Sequence, residues 1–180
     1  AVKEAGHEIG FHAWDHHKAQ ARLMAMTTGA MVQEIEQGLA VLTGITGELP
    51  ATSAAPGWRA NDRLLEVKSN FPFRYNSDCR GNHPFYPVVN GKKLEQLQIP
   101  VTLGRDGVSD RNYNDFQISL LKPDALNVLT IHAEAEGGRC SAMFEEYLDR
   151  VLKLGYRVVP LGVIAEEVRD SAPEGRIELC

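Results

Sequence analysis

The stretch Gly6-His7-Glu8-Ile9-Gly10-Phe11-His12-Ala13-Trp14-Asp15-His16-His17 constrains this chain more than any other. Ile9 and Phe11 alternate with small or polar neighbours, which predicts a short strand over 8–12. Gly10 lets a neighbouring backbone approach that strand closely. His12 stands where the strand ends, and His16 follows on the outgoing loop or first helical turn. Four of the chain's six histidines fall in this stretch. Two neutral imidazoles at that spacing can converge on one cation. A zincin helix would require Glu directly after the first His, where Ala13 stands, and a zinc finger would require closely paired cysteines. What remains is a hydrolytic site with two histidines and a third ligand from elsewhere.

Short apolar runs that end in polar residues recur along the chain. After a loop with some helical turns over 18–26, Thr27 or Thr28 caps a helix carrying Met31, Ile35, Leu39 and Leu42 at helical spacing, closed by Gly44 and Gly47. Residues 49–56 read as a short strand and loop, followed by Gly57-Trp58-Arg59-Ala60 and a helix over 62–69. Trp58 suits either a sugar face or the core. Residues 73–77 alternate as a strand, with Asn76, Asp78 and Arg80 at its exit. Proline, glycine and asparagine over 82–93 predict a long surface loop, and 97–101 another strand. The polar, glycine-bearing stretch 104–114 suits a loop or lid. A helix over 115–121 and a buried strand over 127–132 follow, the latter ending in His132 before Glu134 and Glu136. An amphipathic helix begins at Cys140 or Ser141 and stops at Gly155. Residues 156–159 read as the last strand, 161–168 as the last helix, and 171–180 as a tail with no readable role. This alternation predicts an α/β fold with a mostly parallel sheet, its informative residues at strand C-terminal ends.

The length of 180 residues suits one domain, and a net charge of -5 argues against nucleic acid as partner. Cys79, Cys140 and Cys180 are too scattered for a disulfide framework or a cysteine metal site, which fits a reducing compartment. No apolar run approaches the ~18 residues of a membrane span. The opening Ala1-Val2-Lys3-Glu4-Ala5-Gly6 resembles the last turn of a helix closed by glycine, so further sequence is expected before it.

Gly6-His7-Glu8-Ile9-Gly10-x-His12-x-x-x-His16 resembles the second motif of the polysaccharide deacetylases, the NodB-homology family. Within it, His12 to His17, Gly57 to Ala60, Arg74 to Gly81 and Thr130 to Gly137 are most similar to the 4-deoxy-4-formamido-L-arabinose-phosphoundecaprenol deformylases. The resemblance implies a distorted (β/α) barrel, here incomplete on its N-terminal side, with 1–170 as the later part of the domain. It implies a divalent metal ion, zinc or a similar transition metal, held by His12 and His16. It assigns catalysis to His132 as general acid and to Arg59 as the arginine that positions the base, with Asp78 orienting His132. Trp58, Asn76 and Arg80 would bind substrate. The family's third ligand and general base are aspartates of a first motif, and neither position lies in this sequence, so the stretch alone is expected to be inactive. The implied reaction removes a formyl group from a lipid-linked amino sugar at the cytoplasmic face of the bacterial inner membrane, in lipid A modification. The competing expectations are a deacetylase of N-acetylated polysaccharide and a non-catalytic sugar- or metal-binding protein. Oligomeric state is left open.

Overall fold

A computed structural model describes residues 2–104 and 112–177. In chain order the elements are α1 (His16–Arg22), α2 (Thr28–Thr46), β1 (Thr52–Ser53), α3 (Asp62–Lys68), β2 (Tyr75–Asn76), β3 (Tyr86–Val89), β4 (Lys92–Lys93), β5 (Leu97–Gln98), α4 (Tyr113–Ser119), α5 (Ser141–Lys153), α6 (Leu161–Val168) and β6 (Glu174–Gly175). The chain is thus mixed helix and strand, as the α/β expectation requires. It divides into two compact units, residues 1–100 with 160–180, and residues 101–159. Among the described residues no helix is long and apolar enough to cross a membrane.

In the first unit β1, β2 and β5 form a parallel sheet in that order, with Ser53 opposite Asn76 and Asn76 opposite Gln98. The strand expected over 8–12 contracts to one residue. Phe11 bridges Ser53 in parallel, donating to the Thr52 carbonyl at 2.9 Å and accepting from the Ala54 amide at 2.9 Å. His12 therefore leaves the sheet at the same edge as the C-terminal ends of β1 and β2. The expected surface loop over 82–93 is instead a hairpin of β3 and β4. Its turn is Asn90-Gly91, with φ of 52° and 78°. That pair of left-handed residues matches the twist of a two-residue hairpin. The tail also gains a role, since β6 pairs in parallel with β3.

Helix ends follow their local chemistry. The Thr27 hydroxyl accepts from the Ala30 amide at 3.2 Å, and Gly47 (φ 75°) closes α2 in the left-handed region, while Gly44 lies inside the helix. Met31, Ile35 and Leu39 of α2 are buried with Phe11, Leu23, Val67 and Phe73, so one helix face covers the sheet edge that carries His12. Gly38 lies against the Phe11 ring, where a Cβ would collide with it.

In the second unit the expected strand over 127–132 makes no ladder beyond Val128, whose carbonyl accepts from Thr102 and Leu103 at 3.1 and 2.9 Å. Asn127 instead closes a turn, its side-chain Nδ2 donating to the Lys122 and Ala125 carbonyls at 3.0 Å each. Residues 156–159 form no strand either. Gly155 (φ 87°) ends α5 with bonds from the Gly155 amide to Leu152 O and from the Tyr156 amide to Val151 O, a glycine-closed helix terminus. Most of the expected lid over 104–114 lies outside the described residues.

Candidate functional site

The first unit builds its site at the C-terminal edge of the parallel strands. His12 is exposed, and its Nδ1 lies 3.0 Å from the Ala54 carbonyl. A carbonyl accepts only, so the proton sits on Nδ1, and the neutral ring keeps its lone pair on Nε2. That tautomer is the one a metal-ligating histidine takes when a backbone carbonyl fixes its ring. His16, the first residue of α1, brings its ring centroid to 5.2 Å from that of His12. Nitrogens about 2.0–2.1 Å from a tetrahedral ion place the two ring centres roughly 5 Å apart, so the pair fits two positions around one divalent cation. Among the described residues no group of three or more His, Cys, Asp or Glu side chains converges into a metal site. Asp15, between the two histidines, accepts from the Lys18 amide at 2.9 Å as the cap of α1. Glu34 of α2 steadies the same corner, accepting from the Asp15 amide at 3.3 Å and from Lys18 Nζ at 2.5 Å.

A mostly apolar cleft opens beside the pair, lined among others by His12, Glu34, Pro56, Arg59 and Lys68. Arg59 is exposed, and its Nη1 lies 3.5 Å from the Gln20 carbonyl. Trp58 and Arg80 come together, the guanidinium carbon standing 4.0 Å from the indole centroid. Asn76 is not a surface group. It is 1% exposed, accepts from the Ser53 hydroxyl at 2.6 Å and donates to Gln96 Oε1 at 3.0 Å. Asp78 is fully buried, with Oδ1 at 2.5 Å from Lys68 Nζ and Oδ2 accepting from Gln98 Nε2 at 3.1 Å. Both of its oxygens are engaged within this unit.

Lys68, Gln96, Gln98, Ser53 and Glu34 escaped the sequence reading. Lys68 did leave a signal, because it follows Leu64 and Leu65 at core spacing, where a charge is costly unless paired. Gln98 lies in the strand expected over 97–101 and Gln96 just before it, two residues apart and so on one face of an extended chain.

Behind the sheet edge, Glu8 ties β2 to α6. Its Oε2 accepts from the Tyr75 hydroxyl at 3.0 Å and from the Gly162 amide at 2.9 Å. Burial, with the Glu8 carboxylate adding to it, pushes the Tyr75 phenol up to about 12. The folded state thus prefers the neutral phenol. Its contribution is complete below about pH 10, the ordinary tyrosine value, and is lost as pH rises toward 12, by up to about 1.4 kcal/mol per unit. Urea unfolding across that range is expected to show the decline in the parent protein and a shallower one in Tyr75→Phe. Equal slopes would refute the assignment.

In the second unit, His132 is exposed and precedes a π-helical turn over Ala135–Arg139. Its amide donates to Glu136 Oε2 at 2.6 Å, and its carbonyl accepts from the Ala135 and Glu136 amides at 2.9 Å each. The turn that follows therefore holds the His132 backbone, not a β-ladder.

The chain is similar to known proteins in sequence and in fold. The polysaccharide deacetylase family profile matches residues 1–76. A protein of Shewanella sediminis (strain HAW-EB3), described as a 4-deoxy-4-formamido-L-arabinose-phosphoundecaprenol deformylase, is 45% identical over 165 residues, 88% of this chain and 53% of that protein. A protein of Wigglesworthia glossinidia brevipalpis with the same description is 40% identical over 157 residues, 83% of this chain and 55% of that one. The chain spans about half the length of the curated relatives it matches. Among solved structures, one described as a polysaccharide deacetylase from Mycobacterium smegmatis superposes with a TM-score of 0.72 at 21% identity, over 99% of this chain and 68% of that one. The histidine pair at the strand edge, the profile match and the shared fold lead to one conclusion: the chain belongs to the polysaccharide deacetylase family.

Proposed function

We propose that this chain is the later part of a metal-dependent hydrolase, with residues 1–170 belonging to a NodB-homology domain. Its reaction removes the formyl group from 4-deoxy-4-formamido-L-arabinose carried on undecaprenyl phosphate. The carrying observation is the His12–His16 pair, whose 5.2 Å ring separation suits one cation. The two curated relatives bring the substrate into view through their descriptions.

His12 and His16 would hold a divalent transition metal ion, zinc or a similar one. Such an ion, when bound, polarises an amide carbonyl and lowers the pKa of water. Water adds to the formyl carbon, the C–N bond breaks, and formate leaves. The departing amine needs a proton, and His132 supplies it as general acid. Arg59, beside the cleft that His12 lines, positions the carboxylate that takes the proton from water. Asp78, fixed between Lys68 and Gln98, acts as a positioning residue, and Asn76 through its buried network shapes the strand exit. Trp58 and Arg80 face the substrate. A lipid-linked donor places the protein at a membrane surface, at the cytoplasmic face of the inner membrane, in lipid A modification and resistance to cationic antimicrobial peptides.

A donor panel tests this reading. The full-length protein that carries this chain is expected to release formate from the lipid-linked formamido sugar, and to stop when a chelator strips its metal. Acetate release from N-acetylated oligosaccharides, without formate from the lipid-linked donor, would overturn it in favour of a polysaccharide deacetylase. Sugar binding without turnover of either donor would leave a binding protein.

A further inference from the structure

The corner at Gly57-Trp58 and the arginine stacked on it point to a property of the substrate. We propose that Arg80, oriented by Trp58, binds the phosphodiester of the donor, so that the site selects phosphate-linked sugars over neutral polysaccharide. This rests on the deformylase reading for the group that is hydrolysed.

The topology brings the two residues together. β1 and β2 are parallel neighbours with Ser53 opposite Asn76. Trp58 lies five residues beyond Ser53 and Arg80 four beyond Asn76, so both leave the sheet at one edge. His12 leaves at that edge too, bonded to Ala54 on the path to Trp58. The corner is also unusual in its backbone. Gly57 and Trp58 have φ of 60° and 55°, a left-handed pair that a bulky residue such as tryptophan seldom joins. The Gln20 side chain packs where a Cβ at position 57 would stand. Strained backbone of this kind collects at ligand-binding corners.

The consequence is the placement of Arg80. Its guanidinium carbon is 4.0 Å from the Trp58 ring centroid, and both residues are half-buried. Stacking uses the flat face of a guanidinium, while its N–H donors lie in the plane, which is the geometry that grips phosphate oxygens. The same contact changes the expectation for Trp58. One face of its ring is covered by the cation, so that face is not a sugar platform; its role there is to orient Arg80. Long-range attraction does not bring an anion to this chain, whose net charge is -5. A fixed local cation is what phosphate recognition would need here. In a pyranose the anomeric phosphate and the C4 amide sit at opposite ends of the ring. An anchor on the phosphate therefore leaves the amide end of the ring free for hydrolysis.

The test compares, in the full-length protein that carries this chain, formate release from two donors, the C1 phosphodiester of the formamido sugar with a short prenyl alcohol and its phosphate-free methyl glycoside. Phosphodiester binding is read separately by Trp fluorescence. Arg80→Gln is expected to raise KM for the phosphodiester about 10- to 100-fold, the loss of a charge-assisted hydrogen bond, and at least tenfold more than for the methyl glycoside. Arg80→Lys, which keeps the charge without the planar fork, is expected to recover only part and serves if Arg80→Gln folds poorly. Equal losses on both donors would overturn the inference and leave the deformylase reading standing, as would a parent protein that treats the two donors alike. If neither donor yields formate, the deformylase reading falls. The fluorescence titration then decides the inference alone: quenching by the phosphodiester that is lost in Arg80→Gln supports it, and no quenching in the parent overturns it.

Discussion

Replacing His12 by alanine in the full-length protein is expected to abolish metal uptake and formate release together, with the fold intact. His12 is exposed, and its ring bonds to the Ala54 carbonyl. Removing an exposed hydrogen bond costs about 1 kcal/mol or less. The sheet edge keeps Phe11, whose two backbone bonds to Thr52 and Ala54 do not involve the imidazole. Catalysis should suffer far more, because one of two histidines that fit a common cation is gone. A metal ion contributes several kcal/mol to such a reaction, so the rate is expected to drop on the order of a thousandfold or more. His16→Ala should behave alike. His17 makes an informative control, since its ring stands 5.7 Å from His16, edge-on, yet no role in the site falls to it. Metal content by elemental analysis, formate release and an unfolding midpoint would be measured on each variant. A His12→Ala protein that keeps its metal, or more than about a tenth of its rate, would remove the pair from the mechanism.

Much of this was legible from residue spacing, and the failures have physical causes. Met31, Ile35 and Leu39 predicted their buried face because helical periodicity is a local property. Thr27 and Gly47 ended α2 as their chemistry requires. The α/β alternation likewise depends on patterns within single segments. Strand assignments were weaker, since a strand exists only through a neighbour. Residues 127–132 are as apolar as a strand should be, yet Asn127 turns the chain and Val128 alone receives backbone bonds from Thr102 and Leu103. Glu174-Gly175 carries no strand signal of its own and pairs because β3 offers an edge. The hairpin was a different failure. Asn90-Gly91 is a strong turn signal, but the prolines and glycines around it suit a loop equally well. At the candidate site, His12 and His16 stand out through clustering in sequence, and their rings lie 5.2 Å apart. Lys68 and Asp78 were not recognised as partners, because a contact across ten residues leaves no periodic trace.

That buried pair carries the largest expected effect on stability. The Lys68 and Asp78 side chains are 3% and 0% exposed, and their charged atoms meet at 2.5 Å. Forming such a pair gains little net, because two ions lose their water for one mutual attraction. Breaking it is another matter. Lys68→Met leaves a carboxylate in the interior with, among the described residues, only Gln98 donating to its Oδ2 from a side chain, and is expected to cost about 3–5 kcal/mol. Asp78→Asn strands the ammonium instead and should cost a similar amount. Gln98 would lose its charged partner in that variant, while its bond from the Asp78 backbone amide, at 3.1 Å, would persist. The double variant Lys68→Met with Asp78→Asn is expected to be much less unstable than the sum of the two, because no charge is left buried and uncompensated. Urea unfolding of the four proteins gives the coupling directly, as contacting residues should depart from additivity. A Lys68→Met loss below about 1 kcal/mol, or strictly additive losses, would mean that water reaches the pair and the sealed network does not exist in solution. If the coupling is found, Asp78 is held by its own unit before any substrate arrives. The C-terminal edge that carries Asn76, Asp78 and Arg80 is then rigid by construction, and the stacked Arg80 inherits its position from that network.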